Sequence, residues 1–283
     1  CSYCFKSKII MFNPNSNFLF KRSGVQSKNR IVLAAMTNKQ SFEDGIISMD
    51  EINWLSRRAR GGFGIITTAA THVSKHGQGW EGEFGVFNDK FIPSLTKLTH
   101  SIHRYEGLVF AQLFHGGIRS PETLTGMQPI SADRVECKES KSGYSIKASE
   151  NDIKRIIKEF TSAAVRCVNA GFDGVELHGA HGYLISQFLS KSINKRKDRW
   201  GGDLNGRSRF LIEIFKSIRK QVPENFIVGI RLSPEIKGLE ISLEDSLELV
   251  KKISQLDVDF IHLSCWDIYA HSYEYPKNSK TMT

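Results

Sequence analysis

Two periodicities alternate along the chain from Asn29 onward. The segments RIVLAAM (30–36), FGIITTAA (63–70), LVFAQLF (108–114), DGVELH (173–178), FIVGIRL (226–232) and DFIHLS (259–264) are short, β-branched and nearly continuous in apolar character. Such runs predict strands covered on both faces. The stretches between them follow a helical period instead. In SENDIKRIIKEFTSAAVRCVNAG (149–171), Ile153, Ile156, Ile157, Phe160, Ala164 and Cys167 share one face, Ser149 and Asp152 have capping-box spacing, and Gly171 supplies the stop. In SLEDSLELVKKISQL (242–256), Ser242 is the cap and Leu243, Leu247, Val250 and Ile253 face inward. Further helices are predicted near 48–60, 91–105 and 206–221.

Strands that alternate with helices pair in parallel, because a parallel strand needs a crossover connection. Two architectures satisfy this, a doubly wound sheet and a (β/α)8 TIM barrel. The first would carry a glycine fingerprint directly after an early strand, whereas GGFG (61–64) precedes its strand. Polar residues gather instead at the C-terminal ends of several strands: Thr37, Thr67, Thr68, Gln112, His115, His178, His181, Arg231 and Ser264. Barrel enzymes build their sites there. The expected fold is therefore an α/β barrel of the TIM type over 29–283, preceded by an extension with a hairpin cap over 1–28. Only six strand segments are found, and the nineteen residues after Ser264 are too few for two more βα units at ~30 residues each. The expectation is an incomplete barrel with about six of its eight units.

Composition narrows the function classes. Of 283 residues, 40% are hydrophobic and 24% charged, the profile of a globular chain and not of a disordered one. No apolar run reaches the length of a membrane span and no leader pattern opens the chain, so a cytoplasmic location is the default expectation. Residues 1 to 10, before Met11, are set aside from fold reasoning. The formal charge of +9 would suit an acidic partner. Its densest run, Lys195, Arg196, Lys197 and Arg199, lacks the interleaved aromatics of a nucleic-acid surface and reads as a solvated loop. Five cysteines form no framework; Cys1 and Cys4 make a lone C-x-x-C pair, and Cys167 lies on the apolar face of its helix.

The fourth strand ends in VELHGAHGYLISQF (175–188), which carries His178, His181 and Tyr183 to the barrel mouth. Two imidazoles and a phenol within six residues suit hydrogen bonding and proton transfer. A metal site would need a third ligand, and none is singled out.

HGAHGYLISQFLS, NKRKDRWGG (194–202) and NGRSRFL (205–211), together with NRIVLAAMT (29–37), AQLFHGG (111–117) and VGIRLSPE (228–235), resemble the old yellow enzyme family of FMN-dependent oxidoreductases. The resemblance implies that FMN lies against Ala35, Met36, Thr37, Ala70, Gln112 and Arg231, with NAD(P)H as reductant. It implies further that His178 and His181 grip the carbonyl oxygen of an enone-type small molecule and that Tyr183 protonates its α-carbon. Neither nucleic acid nor membrane is an expected partner, and self-association into a homo-oligomer is compatible with this reading. Two features depart from the pattern: the seventh and eighth strands, which hold the FMN phosphate in the family, are not found, and Lys39 stands where one subgroup has tyrosine. The missing strands favour an alternative, a catalytically silent remnant or structural partner with the family fold.

Overall fold

The computed structural model describes residues 13–265; the Cys1/Cys4 pair and the residues after Cys265 lie outside it. Among the described residues, ten strands and seven α-helices follow in chain order. A hairpin of β1 (Phe18–Leu19) and β2 (Gln26–Ser27) comes first. Next come β3 (Val32–Leu33), α1 (Met49–Arg60), β4 (Ile65–His72), α2 (Ile92–His103) and β5 (Leu108–Phe114). An excursion then carries α3 (Glu122–Thr125), β6 (Ile130–Ser131) and β7 (Ile146–Lys147), the two strands pairing with each other. The chain continues through α4 (Glu150–Asn169), β8 (Gly174–Gly179), α5 (Leu184–Leu189), α6 (Leu204–Gln221), β9 (Ile227–Leu232), α7 (Leu243–Ile253) and β10 (Phe260–Leu263).

Among the described residues, β3, β4, β5, β8, β9 and β10 form one parallel sheet in that spatial order. Successive side chains on a strand point to opposite faces. On β5, Val109, Ala111 and Leu113 join the large core shared with the helices, as do Val175 and Leu177 on β8 and Val228 and Ile230 on β9. The other set, Phe110, Gln112, Glu176, His178, Arg231 and His262, therefore faces the concave side. A bulge between Thr67 and Ala70 shifts the register of β4 and sets Ala70 beside Gln112. Bulges commonly re-aim side chains in this way.

The sheet curls strongly. Strands β3 and β9 are four intervals apart in the sheet order, which would be about 19 Å if it were flat. Yet Arg231 Nη1 on β9 donates to the carbonyl of Ala35, just after β3, at 3.3 Å. At the opposite end, Phe110 on β5 stacks on Phe260 of β10 with ring centroids 5.5 Å apart. Phe20, from the hairpin, packs edge-on to both and forms a small core with Ile65, Phe110 and Ile227. The hairpin thus seals the N-terminal end of the strands. It is fastened by Arg22, which donates twice to Asp259, a buried carboxylate that also accepts from Arg219 and the amide of Val228.

The helices form where their periodicity predicts. Ser149 and Asp152 complete the capping box of α4, and Ser242 caps α7 through the amide of Asp245. Cys167 is fully buried. Three expectations need correction. On α7, Leu247 does not face inward but is exposed, and Leu249 is buried instead, so the apolar face is rotated from the one expected. The first strand was expected over seven residues but pairs only at Val32–Leu33, because the chain leaves the sheet there and runs on as a loop. The basic run is not a purely solvated loop. Arg196 is buried, donates to the carbonyls of Ala132 and Ala148, and forms a two-pronged pair with Asp198. Desolvation of a guanidinium is costly unless its donors are matched, and these are.

At the N-terminal end of the barrel, His103 bonds Asp173 at 2.9 Å, and Asp173 also accepts from the amide of Val109. The hydrogen bond to Asp173 raises the His103 pKa above its usual value against the opposing effect of burial. A raised histidine pKa stabilises the fold fully below the unfolded value of about 6.5, and the contribution disappears as pH rises through the higher folded value. The urea midpoint of the wild-type chain should therefore fall, relative to that of His103→Gln, as pH is raised from 6 to 9; parallel pH profiles would refute the coupling.

Candidate active site

The concave face ends in a turn that holds the two imidazoles and the phenol. β8 delivers His178 at its C-terminal end, where burial is nearly complete. The chain then turns through His181 and Gly182, both with positive φ (60° and 74°), before Tyr183 opens α5. The His178 ring lies 5.1 Å from that of His181 and 4.8 Å from that of Tyr183, centroid to centroid. Phe114 and Trp80 flank the phenol at 4.5 and 6.5 Å. All three predicted residues therefore meet in one cluster of rings at the C-terminal rim of the sheet.

Hydrogen bonds fix how the imidazoles present themselves. His178 Nδ1 accepts from the amide of Ala180 at 3.3 Å, so its neutral ring carries hydrogen on Nε2 and offers a donor. The backbone of His181 is held from both sides: its amide donates to Ser233 Oγ, and Arg119 donates to its carbonyl. His181 Nε2 meets the Ser264 hydroxyl at 2.8 Å, and that hydroxyl accepts from Arg231 Nη2 at 2.9 Å. Burial holds the His178 pKa well below its ordinary value, reinforced by the repulsion that a protonated His178 would meet from a protonated His181 and from Arg231. Burial, then Arg231 and Arg119, push His181 down to about 4. Both rings are thus neutral at pH 7. Burial raises the Tyr183 pKa, although the Arg119 guanidinium, 4.4 Å from the ring centre, pulls it the other way. A phenol kept protonated beside two neutral N–H donors can polarise a carbonyl oxygen and surrender a proton.

The residues expected to meet the cofactor are only partly brought together. Ala70 is the register partner of Gln112, and Arg231 touches Ala35. Met36 and Thr37 lie exposed on the loop that leaves β3, and neither joins this contact network among the described residues. The Arg231 guanidinium is buried, its acceptors among the described residues are two neutral oxygens, and its Nε has no partner there. A desolvated cation with an unmatched donor fits a ligand that is or becomes anionic. Ala35 and Ala70, both buried, place only methyl groups on this wall. His115, another polar strand end, does not reach this group: it is fully buried, accepts from the amide of Gly117 and lies 5.9 Å from His76.

Several residues that shape the site carry no sequence signature. Gln187, on α5, donates to the carbonyls of Gly116 and Gly182 and accepts from the amide of Ile118 and from Ser131. It ties the loop carrying Arg119 to the turn carrying His181. Arg119, Trp80 and Glu176 were equally unmarked, because single charged or aromatic residues in loops and strands have many ordinary uses. Among the described residues, no cluster of three or more His, Cys, Asp or Glu could hold a metal ion, and no helix is long and apolar enough to cross a membrane.

Known proteins resemble this chain in sequence and in fold. The probable NADH-dependent flavin oxidoreductase YqiG of Bacillus subtilis is 35% identical over 263 residues, covering 91% of this chain and 69% of that protein. The NADH:acrylate oxidoreductase of Vibrio harveyi is also 35% identical, over 92% of this chain but 26% of the much longer relative. The old yellow enzyme homologue of Zymomonas mobilis superposes with a TM-score of 0.84 at 28% identity, over 94% of this chain and 77% of that one. A family model covering residues 18–281 matches as well. The curled sheet is thus part of an old-yellow-enzyme TIM barrel, and the chain belongs to the NADH:flavin oxidoreductase / NADH oxidase family.

Proposed function

We propose that this chain passes hydride from NAD(P)H, through FMN, to the activated C=C bond of an α,β-unsaturated carbonyl compound. The observation that carries this reading is the rim on which neutral His178 and His181 and a protonated Tyr183 converge beside the buried Arg231. Bound FMN supplies the hydride relay. Everything else is the work of the chain. Ala35 and Ala70 make room for the ring, with Met36 and Thr37 at its edge. Gln112 offers an amide to the pyrimidine side, which has both donors and acceptors. Arg231 provides a fixed positive charge where negative charge accumulates on reduction.

His178 and His181 hold the substrate carbonyl oxygen through ring N–H donors. Neutral rings are the appropriate state for this, because the donors act without a net charge that would hold the oxygen permanently. They strengthen their grip as negative charge grows on that oxygen, which lowers the barrier at the β-carbon. Tyr183 delivers the proton to the α-carbon, and its raised pKa keeps that proton in place until the carbon becomes basic. Phe114 and Trp80 pack beside the phenol, which stays half-buried.

Two measurements test these roles. Tyr183→Phe should leave flavin reduction by NAD(P)H within about twofold of wild type while slowing reoxidation by an enone by roughly 10²-fold or more. Equal slowing of both half-reactions would remove the proton-donor role. The second test is spectroscopic. The ring-proton resonances of His178 and His181 should stay constant between pH 5.5 and 8, since both pKa values lie well below the ordinary histidine range; titration of either near 6.5 would contradict neutral-donor catalysis.

A further inference from the structure

The concave face carries a carboxylate that none of the proposed steps uses. Glu176, on β8, is buried with 1% of its surface accessible. Its Oε1 accepts from Gln112 Nε2 at 2.6 Å on one side, and its Oε2 meets His262 Nδ1 at 2.8 Å on the other. The second contact reaches past β9, two strands along, because the register position between Glu176 and Phe260 is Gly229. A Cβ at Gly229 would come within 2.1 Å of the Phe260 ring. Three strands therefore converge on one buried carboxylate.

We infer that Glu176 is a positioning residue that sets the orientation of the Gln112 carboxamide toward FMN. The two ends of a glutamine amide are nearly equal in size, so packing alone does not choose between them. A carboxylate does choose, because when ionised it only accepts. It draws the NH2 group toward β8 and leaves Oε1 on the side away from Glu176, where it can accept from a pyrimidine N–H. The opposite orientation would set two acceptors against each other at 2.6 Å. His262 supplies the second donor that a buried carboxylate requires. The inference rests on the proposed FMN site and adds to it the group that keys the cofactor's pyrimidine edge.

A double-mutant cycle on the full chain, read as FMN affinity by quenching of flavin fluorescence, tests it. Glu176→Leu should weaken FMN binding about tenfold, the loss of one oriented hydrogen bond. Glu176→Gln should stay within about threefold of wild type, because its own Oε1 can still accept from Gln112 while its NH2 meets His262 in the accepting tautomer. In a Gln112→Leu background, Glu176→Leu should cost less than twofold, since nothing remains to orient. The Gln112→Leu/Glu176→Leu chain replaces both partners by apolar groups of similar shape, so it keeps a foldable core. A full tenfold further loss in that background, or equal losses for the Leu and Gln variants at 176, would overturn the inference while leaving the FMN site intact. Failure of the wild-type chain to take up FMN would overturn both.

Discussion

Curvature of the parallel sheet is the constraint on which the rest of this molecule depends. Arg231 and Ala35 stand on strands four intervals apart, and only a strongly rolled sheet lets one touch the other. The same roll stacks Phe110 on Phe260 at the closed end, where Phe20 fills the remaining space. Alternation then divides the work. Odd positions of β5 and β8 secure the helices, while even positions line a concavity whose floor is aromatic and whose rim is polar. Sealing one end with apolar contacts leaves the other free to hold groups that a packed core would reject.

Those groups are arranged by charge. Arg119 and Arg231 flank the histidine pair, and their positive fields add to the effect of burial in keeping both imidazoles unprotonated. A histidine pair in water would be partly charged near neutral pH. Here the protein sets the protonation state first, and the Ala180 amide selects which nitrogen of His178 carries hydrogen, while the Ser264 hydroxyl anchors the His181 ring. The polarity of the rim is thus defined before any ligand arrives, which is the requirement for electrostatic preorganisation. Gln187 and Arg196 support it from behind by satisfying carbonyls and amides of the surrounding loops.

Much of this was legible in the amino-acid order. Strands β5 and β9 and helices α1, α4 and α6 appear within about two residues of the positions that periodicity gives, because runs such as LVFAQLF and the capped amphipathic stretch after Ser149 have strong local signals. The His178, His181 and Tyr183 group was visible because three chemically capable side chains lie within six residues. What was hidden depends on partners distant in the chain. Arg196 looked solvated in its basic run, since nothing local reveals that the carbonyls of Ala132 and Ala148 await it. The short β3 looked long because an apolar segment that lines a loop and one that pairs have the same composition. Glu176 lay within a segment already assigned to a buried strand, and its two donors come from residues 64 positions before it and 86 after it.

The left-handed backbone at His181 also restricts which side chains this position can accept. Among residues other than glycine, asparagine, aspartate and histidine enter that conformation most readily. Aspartate, when ionised, cannot donate, and glycine has nothing to donate with. A turn of this shape that must also point a hydrogen-bond donor at a ligand therefore draws on an alphabet of two letters, histidine and asparagine, and an exchange between them would alter reach and basicity while leaving the path of the main chain unchanged.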